Sequence, residues 1–214
     1  MKKTTKEQIL EVSLLLFSEK GFDAVRVKEI ADVVGIKAPS IYKHFKSKQD
    51  IFNAILEESN RRYALQTASF NMEGLDPKMD VGLFETITDE HMLEMGEALF
   101  NHFLHDEYTS KIRRLLTIEQ FKNQELANLY VMQYMESPLQ YQRMIFELLI
   151  KKGLMRKGDP EIMAMQFFSP IFLLLVQCDA NTDKEMESLA KLKRHIIEFN
   201  RIYRNEREIF IYRK

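Results

Sequence analysis

The chain has 214 residues, of which 45% are apolar and 29% are charged, and its net charge is −1. Its seven glycines and five prolines are few for a sheet-rich protein with many tight turns, and its single cysteine excludes an internal disulfide. The length and apolar content are sufficient for one helical domain of about 50 residues and a second of about 150.

The sequence gives no sign of export or membrane insertion. The first ten residues lack the long apolar run of a signal peptide. The most apolar run, residues 170–176, is too short to span a bilayer, and no stretch of about 18 residues lacks polar breaks. Cys178 ends an apolar helical pattern, which favours a buried structural thiol over a reactive one. We therefore expect a cytoplasmic, nucleoid-associated protein without membrane contact.

Residues 26–48 contain two short helical patterns joined at a glycine. In the first, Val27, Ile30, Ala31 and Val34 share one face, and Gly35 follows at the helix stop. In the second, Pro39 falls in the first turn, where a missing N–H is tolerated, and apolar residues at 41 and 45 point inward. This is the pattern of a helix-turn-helix whose second helix enters the major groove of DNA.

The outward residues of this segment have the chemistry of a DNA surface. Segment 26–48 holds six basic and two acidic residues, a net charge of +4 within a slightly acidic chain. Hydroxyl, lysine and histidine side chains can reach phosphates and base edges. A solvated helix pair with incidental lysines is the alternative, because short patterns of this kind recur by chance. The predicted DNA-binding residues are Arg26, Lys28, Lys37, Ala38, Pro39, Ser40, Tyr42, Lys43, His44 and Lys48.

Residues 5–56 resemble the N-terminal domain of the TetR/AcrR family of bacterial transcriptional regulators. The matching positions are Ile9, Leu10, Leu16, Phe17, Glu19-Lys20-Gly21-Phe22, Val27, Glu29-Ile30-Ala31, Gly35-Ile36, Ser40-Ile41-Tyr42, His44-Phe45, Ser47-Lys48 and Ile51-Phe52. The resemblance implies that the residues at 40, 42, 43, 44 and 48 touch DNA. It also implies an all-α homodimer whose C-terminal domain binds an inducer or a partner.

Three departures from the family pattern stand out. Val25 and Arg26 occupy the place of a capping Ser or Thr, so the side-chain cap is lost and Arg26 can substitute its charge at the phosphate. Lys37-Ala38-Pro39 replaces a serine followed by a glycine-containing pair. Ser13 stands where alanine is frequent.

The remainder of the chain is also predicted to be helical, giving about nine helices in an all-α fold. We expect a helix-turn-helix DNA-binding domain over residues 1–47 and a regulatory and dimerisation domain over 48–214, with the fourth helix connecting them. Residues 71–90 are expected to form a loop with about one helical turn. Pro138 should kink or split a long helix over 124–152. The predicted helices run over residues 48–69, 90–105, 108–121, 124–152, 159–178 and 183–206.

The last two helices are expected to form the dimer interface. Residues 160–178 are apolar on nearly all sides, and residues 183–204 are amphipathic, so both need buried surroundings. A two-fold dimer places two recognition helices on successive major grooves. The alternative is a monomer with one very apolar central helix. The predicted interface residues are Phe167, Phe168, Ile171, Leu174, Leu175, Leu189, Leu192, Ile196 and Phe199.

A small-molecule site is predicted beyond residue 90, where Met and aromatic residues are frequent. Such residues line apolar ligand cavities, although the same stripe also forms an ordinary core. The predicted ligand-binding residues are Met92, Met95, Leu99, Phe103, Phe121, Tyr130 and Tyr134.

Other chemistry finds little support in the sequence. His102 and His105 share a helix face, but no third metal ligand has a fixed spacing, so no metal site or cofactor is predicted. Glu-x-x-His, phosphate-loop, Rossmann and nucleophile-elbow motifs are missing from the sequence, which predicts a protein that is not an enzyme. The favoured function is a repressor released from a palindromic operator by an apolar or amphipathic ligand. The alternative is a DNA-binding dimer controlled by a protein partner or by its own abundance.

Overall fold

A computed structural model describes residues 3–73 and 76–205. The described part of the chain is helical and contains no β-strand, which confirms the predicted all-α class. Its α-helices are α1 Thr5–Lys20, α2 Val27–Val34, α3 Ala38–Ile41, α4 Lys48–Ala68, α5 Pro77–Thr86, α6 Asp89–His105, α7 Glu107–Glu119, α8 Gln124–Val131, α9 Ser137–Lys151, α10 Pro160–Ala180 and α11 Glu185–Tyr203. The segment EREIFIYRK, for which the sequence suggested a helix end or a short extended arm, lies outside the described residues.

The first helix is defined by its ends. The Thr4 hydroxyl accepts a hydrogen bond from the Glu7 N–H at 3.3 Å, and the Glu7 carboxylate accepts one from the Thr4 N–H at 2.7 Å. This reciprocal capping box satisfies two N–H groups that the helix itself cannot pair. At the other end Gly21 has a φ of 87°, which turns the chain away from the helix.

The predicted loop over residues 71–90 contains a full helix, α5. Asp76 caps it by accepting a hydrogen bond from the Lys78 N–H at 2.9 Å, and Pro77 occupies the first turn. Asp80 is buried and accepts hydrogen bonds from the Glu73 N–H and the Tyr141 hydroxyl, both at 2.7 Å. Two of the acidic residues that suggested a loop therefore have structural roles. Asp76 caps α5, and Asp80 is a buried hydrogen-bond acceptor.

The expected break at Pro138 is present. Residues Met132–Glu136 form a π-helical turn between α8 and α9, and Pro138 lies in the first turn of α9. The proline cannot donate to a preceding carbonyl, so the α-helical ladder is interrupted in the turn before it.

The chain divides into two compact units. One comprises Met1–Leu65 and His102–Gln133, and the other comprises Gln66–Asn101 and Tyr134–Lys214. The predicted domain boundary at residue 47 remains a prediction.

In the first unit, α1 packs against α2 and α7. The aromatic rings of Phe17, Phe22 and Phe52 form one cluster, with centroids 5.1 Å apart for Phe17 and Phe22 and 5.3 Å apart for Phe22 and Phe52. These three side chains are buried, so they form part of the core on which the helix-turn-helix is built.

In the second unit, α9 packs against α5 and α10, and α10 packs against α11. Phe146, Phe167 and Phe199 meet at the centre of this core, with ring centroids 4.8 to 5.7 Å apart. Edge-to-face and tilted contacts of this kind are favourable geometries for aromatic rings.

One helix, α10, is long and apolar enough to cross a membrane by length and composition alone. This corrects the expectation that no segment would meet that test. A core helix of a water-soluble protein meets the same test, and only 28% of the most apolar window of α10 is buried within this chain.

Candidate nucleic-acid interface

The helix-turn-helix geometry depends on a few buried residues and one glycine. Ile30 and Ala31 of α2 and Ile41 and Phe45 of the second pattern are buried, as the spacing predicted. Gly35 has φ 80° and ψ 30°, and its N–H is bonded to the last turn of α2. A left-handed glycine at this position ends α2 and redirects the chain into α3.

The second helix is short. Only Ala38–Ile41 are α-helical, and the turn continues with the His44 and Phe45 N–H groups both donating to the Ile41 carbonyl, at 2.9 and 3.0 Å. Pro39 lies in the first turn, as expected from its fixed φ. Lys37 stands at the N-cap without a side-chain hydrogen bond.

The predicted DNA-facing side chains lie together on the outside of this motif. Tyr42 is 56% exposed, although it is a large aromatic residue, and Lys43 and His44 beside it are also exposed. Ala38 and Ser40 are half-buried. The structure also exposes Arg26, Lys28, Lys37 and Pro39.

The start of α2 has the predicted uncapped geometry. Arg26 occupies the N-cap in an extended conformation and makes no side-chain capping hydrogen bond. The first N–H groups of α2 therefore have no side-chain cap, and the N-cap residue itself is an exposed arginine. A helix N-terminus next to a cation is favourable for a phosphate.

Lys48 is placed differently from the other predicted DNA contacts. Its ammonium donates to the carbonyls of Phe22 at 2.8 Å and Val25 at 3.1 Å, and it lies 4.3 Å from the centroid of the Phe22 ring. In this arrangement Lys48 binds the α1–α2 turn. Residue spacing could not predict this contact, since the partners lie 26 and 23 residues away along the chain.

The predicted ligand-binding residues do not form one group. Met95 is buried in an apolar cluster with Met72 and Ile87, and Met92 and Leu99 pack against that cluster. Tyr130 and Tyr134 are buried, and Phe103 is half-buried. Phe121 is 88% exposed, because it falls in the turn after α7 rather than on a helix.

An open surface depression of about 500 Å³ lies elsewhere, on α11. None of the predicted ligand residues contributes to it. Its lining residues are Lys191, Arg194, His195, Ile197 and Glu198.

The predicted interface residues divide between two sides of α10 and α11. Leu174, Leu175, Leu192, Ile196 and Phe199 are buried in the chain's own core, and Phe167, Phe168, Ile171 and Leu189 are half-buried. Sequence spacing identified the apolar helices but not which side faces inward. Large apolar side chains on the opposite, exposed sides are Ile162, Met165, Leu173, Val176, Met186 and Ile197.

His102 and Cys178 are packed within the protein rather than placed at a metal-binding or reactive site. His102 packs against the rings of Tyr63 and Phe103, and burial lowers its pKa. Cys178 is buried, as expected for a structural thiol. The described residues contain no group of three or more His, Cys, Asp or Glu side chains arranged to hold a metal ion.

Comparison with known proteins identifies the N-terminal segment. Residues 9–55 match the sequence model of the bacterial regulatory proteins of the tetR family. The HTH-type transcriptional regulator YttP of Bacillus subtilis (strain 168) is 27% identical over 156 residues, which are 72% of this chain and 66% of YttP. The repressor BdcR of Escherichia coli (strain K12) is 46% identical over 52 residues, which are 24% of this chain and 26% of BdcR. The chain thus spans less than two thirds of each of these relatives.

Solved structures share the fold over nearly the whole chain. A TetR-family regulator from Mesorhizobium loti MAFF303099 has a TM-score of 0.67 at 19% identity, covering 94% of this chain and 97% of its own. A complex of SmeT with triclosan has a TM-score of 0.64 at 16% identity, covering 95% and 93%. SmeT is described as the repressor of a multidrug efflux pump of Stenotrophomonas maltophilia.

The fold and the exposed basic motif are those of a protein with an N-terminal helix-turn-helix. Residues 9–55 are similar to the N-terminal domain of the tetR family of bacterial regulatory proteins, and the chain shares its fold with solved structures of regulators of that family. Members of this family bind DNA and function as dimers, and they are not enzymes.

Proposed function

We propose that this protein is a repressor that binds a palindromic operator as a homodimer in the cytoplasm, at the nucleoid. The main support for the proposal is the surface of the helix-turn-helix, where Tyr42, Lys43 and His44 are consecutive exposed residues and α2 begins at an exposed arginine without a side-chain cap. Phosphate contacts from this surface would set the position on DNA, and Ser40, Lys43 or His44 would reach base edges.

The exposed apolar sides of α10 and α11 support the homodimer. Ile162, Met165, Leu173 and Val176 follow one another along the outward side of α10, where 57% of the Leu173 side chain is exposed. Isolated exposed apolar residues are common, but a stripe of them along one helix is typical of a protein–protein contact. A second copy of the same two helices offers a self-complementary surface for a two-fold contact.

A small-molecule inducer is the second part of the proposal. The complex of SmeT with triclosan shows that a protein of the same fold accepts a small apolar phenol. In this chain we assign the site to the cluster that contains Met92, Met95 and Leu99, because flexible methionines can repack around a ligand. A ligand bound there would favour a conformation with lower operator affinity.

The first experiment identifies the DNA. Wild-type protein is used to select duplexes from a random library, and the bound species is sized. We expect a two-fold symmetric sequence with half-sites about one helical turn apart, bound by two or four chains. Enrichment of an asymmetric site, or one chain per duplex, would contradict the palindrome and the dimer. Transcription in vitro from a promoter that overlaps the selected site should fall when protein is added.

The second experiment tests the inducer. Triclosan and a panel of apolar and amphipathic compounds are added to the protein, and its melting temperature and its affinity for the selected duplex are measured. A ligand of the native state must raise the melting temperature, and an inducer must also weaken duplex binding. If no compound does both, control by a protein partner or by abundance becomes the better account.

A further inference from the structure

A single residue of the α1–α2 turn is held from both sides by helices that lie outside the helix-turn-helix. The Phe22 N–H donates to Oε1 of Glu119, the last residue of α7, at 3.2 Å. The Phe22 carbonyl accepts a hydrogen bond from the ammonium of Lys48, the first residue of α4, at 2.8 Å. The partners are 97 and 26 residues distant along the chain.

The side chain of Phe22 strengthens the same connection. Its ring lies 4.3 Å below the Lys48 ammonium and packs against Phe17 and Phe52 in the core of the unit. A cation over an aromatic face is attractive, and more so where water is partly excluded. Lys48 therefore contacts the ring as well as the carbonyl of one residue.

The turn is shaped to admit the Glu119 carboxylate. Gly21 has a φ of 87°, and a Cβ atom built there would overlap Oε1 of Glu119. Glu119 is 3% exposed, and a buried carboxylate is costly unless hydrogen bonds compensate it. A methionine would fill the same place on α7 without that cost. The carboxylate is thus explained by the bond it makes to the turn.

The two helices that meet at Phe22 are also joined farther along. Asp106, the N-cap of α7, accepts a hydrogen bond from Arg62 of α4 at 3.0 Å. The Arg62 guanidinium also bonds Glu58 at 2.9 Å and lies over the Tyr108 ring at 4.3 Å. Helices α4 and α7 and the Phe22 turn therefore form a closed frame within one unit. A shift of α7 along α4 would strain the hydrogen bond between Glu119 and the Phe22 N–H.

We propose that Glu119 is a positioning residue for DNA binding, which fixes the α1–α2 turn through the Phe22 N–H and so sets how α2 and α3 meet the duplex. Arg26, the N-cap of α2, follows Phe22 by four residues, so a displacement of the turn displaces the start of α2. Release of Glu119 from Phe22 lowers operator affinity without removing any DNA contact. This inference rests on DNA binding by the helix-turn-helix and adds the residue through which α7 controls it.

The test compares two substitutions in the full-length protein. Glu119→Gln keeps an oxygen acceptor for the Phe22 N–H, whereas Glu119→Met has a similar volume and no such acceptor. The probe is a duplex selected from a random library by the wild-type protein. We expect Glu119→Gln to bind within about threefold of wild type and Glu119→Met to bind about tenfold more weakly, because a buried donor is left unpaired.

Two further measurements separate positioning from a general loss of stability. Hydrogen exchange of the Phe22 amide should accelerate in Glu119→Met and remain slow in Glu119→Gln. The control is Glu57→Met, which removes the same charge from an exposed position on α4 and should leave both affinity and exchange unchanged. Wild-type affinity or unchanged Phe22 exchange in Glu119→Met would overturn the proposal. An equal loss in Glu119→Gln would also overturn it, since charge rather than the acceptor would then be responsible.

A second pair of variants covers the case in which Glu119→Met does not fold. Gly21→Ala pushes a methyl group into the carboxylate and strains the backbone. Adding Glu119→Ala removes the overlap, so the double variant should lose less affinity than the two single losses combined. Purely additive losses would count against the contact. Failure of the wild type to select any duplex would instead refute the repressor proposal, while the exchange measurement still tests the contact without DNA.

Discussion

Lys43 and Lys48 are both predicted DNA contacts, yet they have different surroundings. Lys43 is exposed on the outer side of the helix-turn-helix. Lys48 is half-buried, and its ammonium donates to three backbone carbonyls of the α1–α2 turn and lies over the Phe22 ring. We therefore expect two roles for the same side-chain type, a phosphate contact at Lys43 and support of the α1–α2 turn at Lys48.

Salt dependence distinguishes these two roles. Lys43→Ala should weaken binding to every duplex and reduce the slope of log K against log salt by about one, because one phosphate contact is lost. Lys48→Met should weaken binding while the slope stays nearly unchanged. Lys122→Ala, an exposed lysine after α7, is the control for a general loss of charge. A reduced slope in Lys48→Met would instead indicate that Lys48 contacts a phosphate.

Two titratable groups near α7 predict the response to acid. Burial lowers the pKa of His102, and the Arg62 charge adds to this effect, while Asp106 opposes it. Burial opposes ionisation of Asp106, but hydrogen bonds from Thr109 and Arg62 outweigh it, so the Asp106 pKa is also lowered. In both cases the unfolded chain takes up a proton before the folded chain does, so stability falls as pH falls.

The pH ranges differ for the two groups. Protonation of His102 reduces folding stability once the pH falls below the ordinary histidine pKa of 6.5. Protonation of Asp106 does so only below the ordinary aspartate pKa of 3.8. The melting temperature should therefore decrease between pH 7 and pH 5, and His102→Phe should reduce that decrease. Melting curves of the two proteins at pH 7.5 and 5.5 measure it. An equal decrease in His102→Phe would exclude His102 as its source.

The positions at which the helices begin depend on their capping residues, which the spacing of apolar residues does not predict. Helix α1 begins at a capping box, and α2 begins at Arg26 without a side-chain cap. The sequence predicted the missing cap because capping depends on residue type at one position. It did not predict α5, whose cap and buried acid looked like loop residues.

Restoring the cap should separate folding from binding at α2. Arg26→Ser provides a hydroxyl for the first N–H groups and should stabilise the protein by about 1 kcal/mol, a rise in melting temperature of about 2–4 °C. The same change should reduce duplex affinity, since it removes the guanidinium. Thr4→Ala at the start of α1 is the opposite control and should lower the melting temperature by a similar amount. Unchanged affinity in Arg26→Ser would remove Arg26 from the DNA surface.

At the scale of the whole molecule, the second unit determines which apolar residues remain for a partner. Five of the nine predicted interface residues are buried in its own core. The outward sides of α10 and α11 carry a different set of apolar residues, including Leu173 and Ile197. The proposed interface therefore lies on the same two helices as predicted, on their opposite sides.

A charge on the outward side of α10 should prevent dimerisation. Leu173→Glu places a carboxylate in the proposed interface and should yield a folded monomer at micromolar concentration, detected by light scattering after size exclusion. Met79→Glu adds the same charge at an exposed apolar position on α5 and should remain dimeric. Operator affinity should fall in Leu173→Glu, because two helix-turn-helix motifs joined in a dimer bind one palindrome more tightly than two separate chains. A dimeric Leu173→Glu would place the interface elsewhere.

Residue spacing was sufficient to predict the helices of the helix-turn-helix, their buried residues, the turn at Gly35, the uncapped start of α2 and the break before Pro138. These features depend on residues within one or two helical turns of one another, so local spacing and capping chemistry are sufficient to predict them. The packing of the helices was needed to show that Lys48 and Glu119 both bond Phe22, that Phe121 lies on the surface and which side of α10 faces inward. Those outcomes depend on contacts between helices distant along the chain, which the spacing of residues within a single helix does not determine.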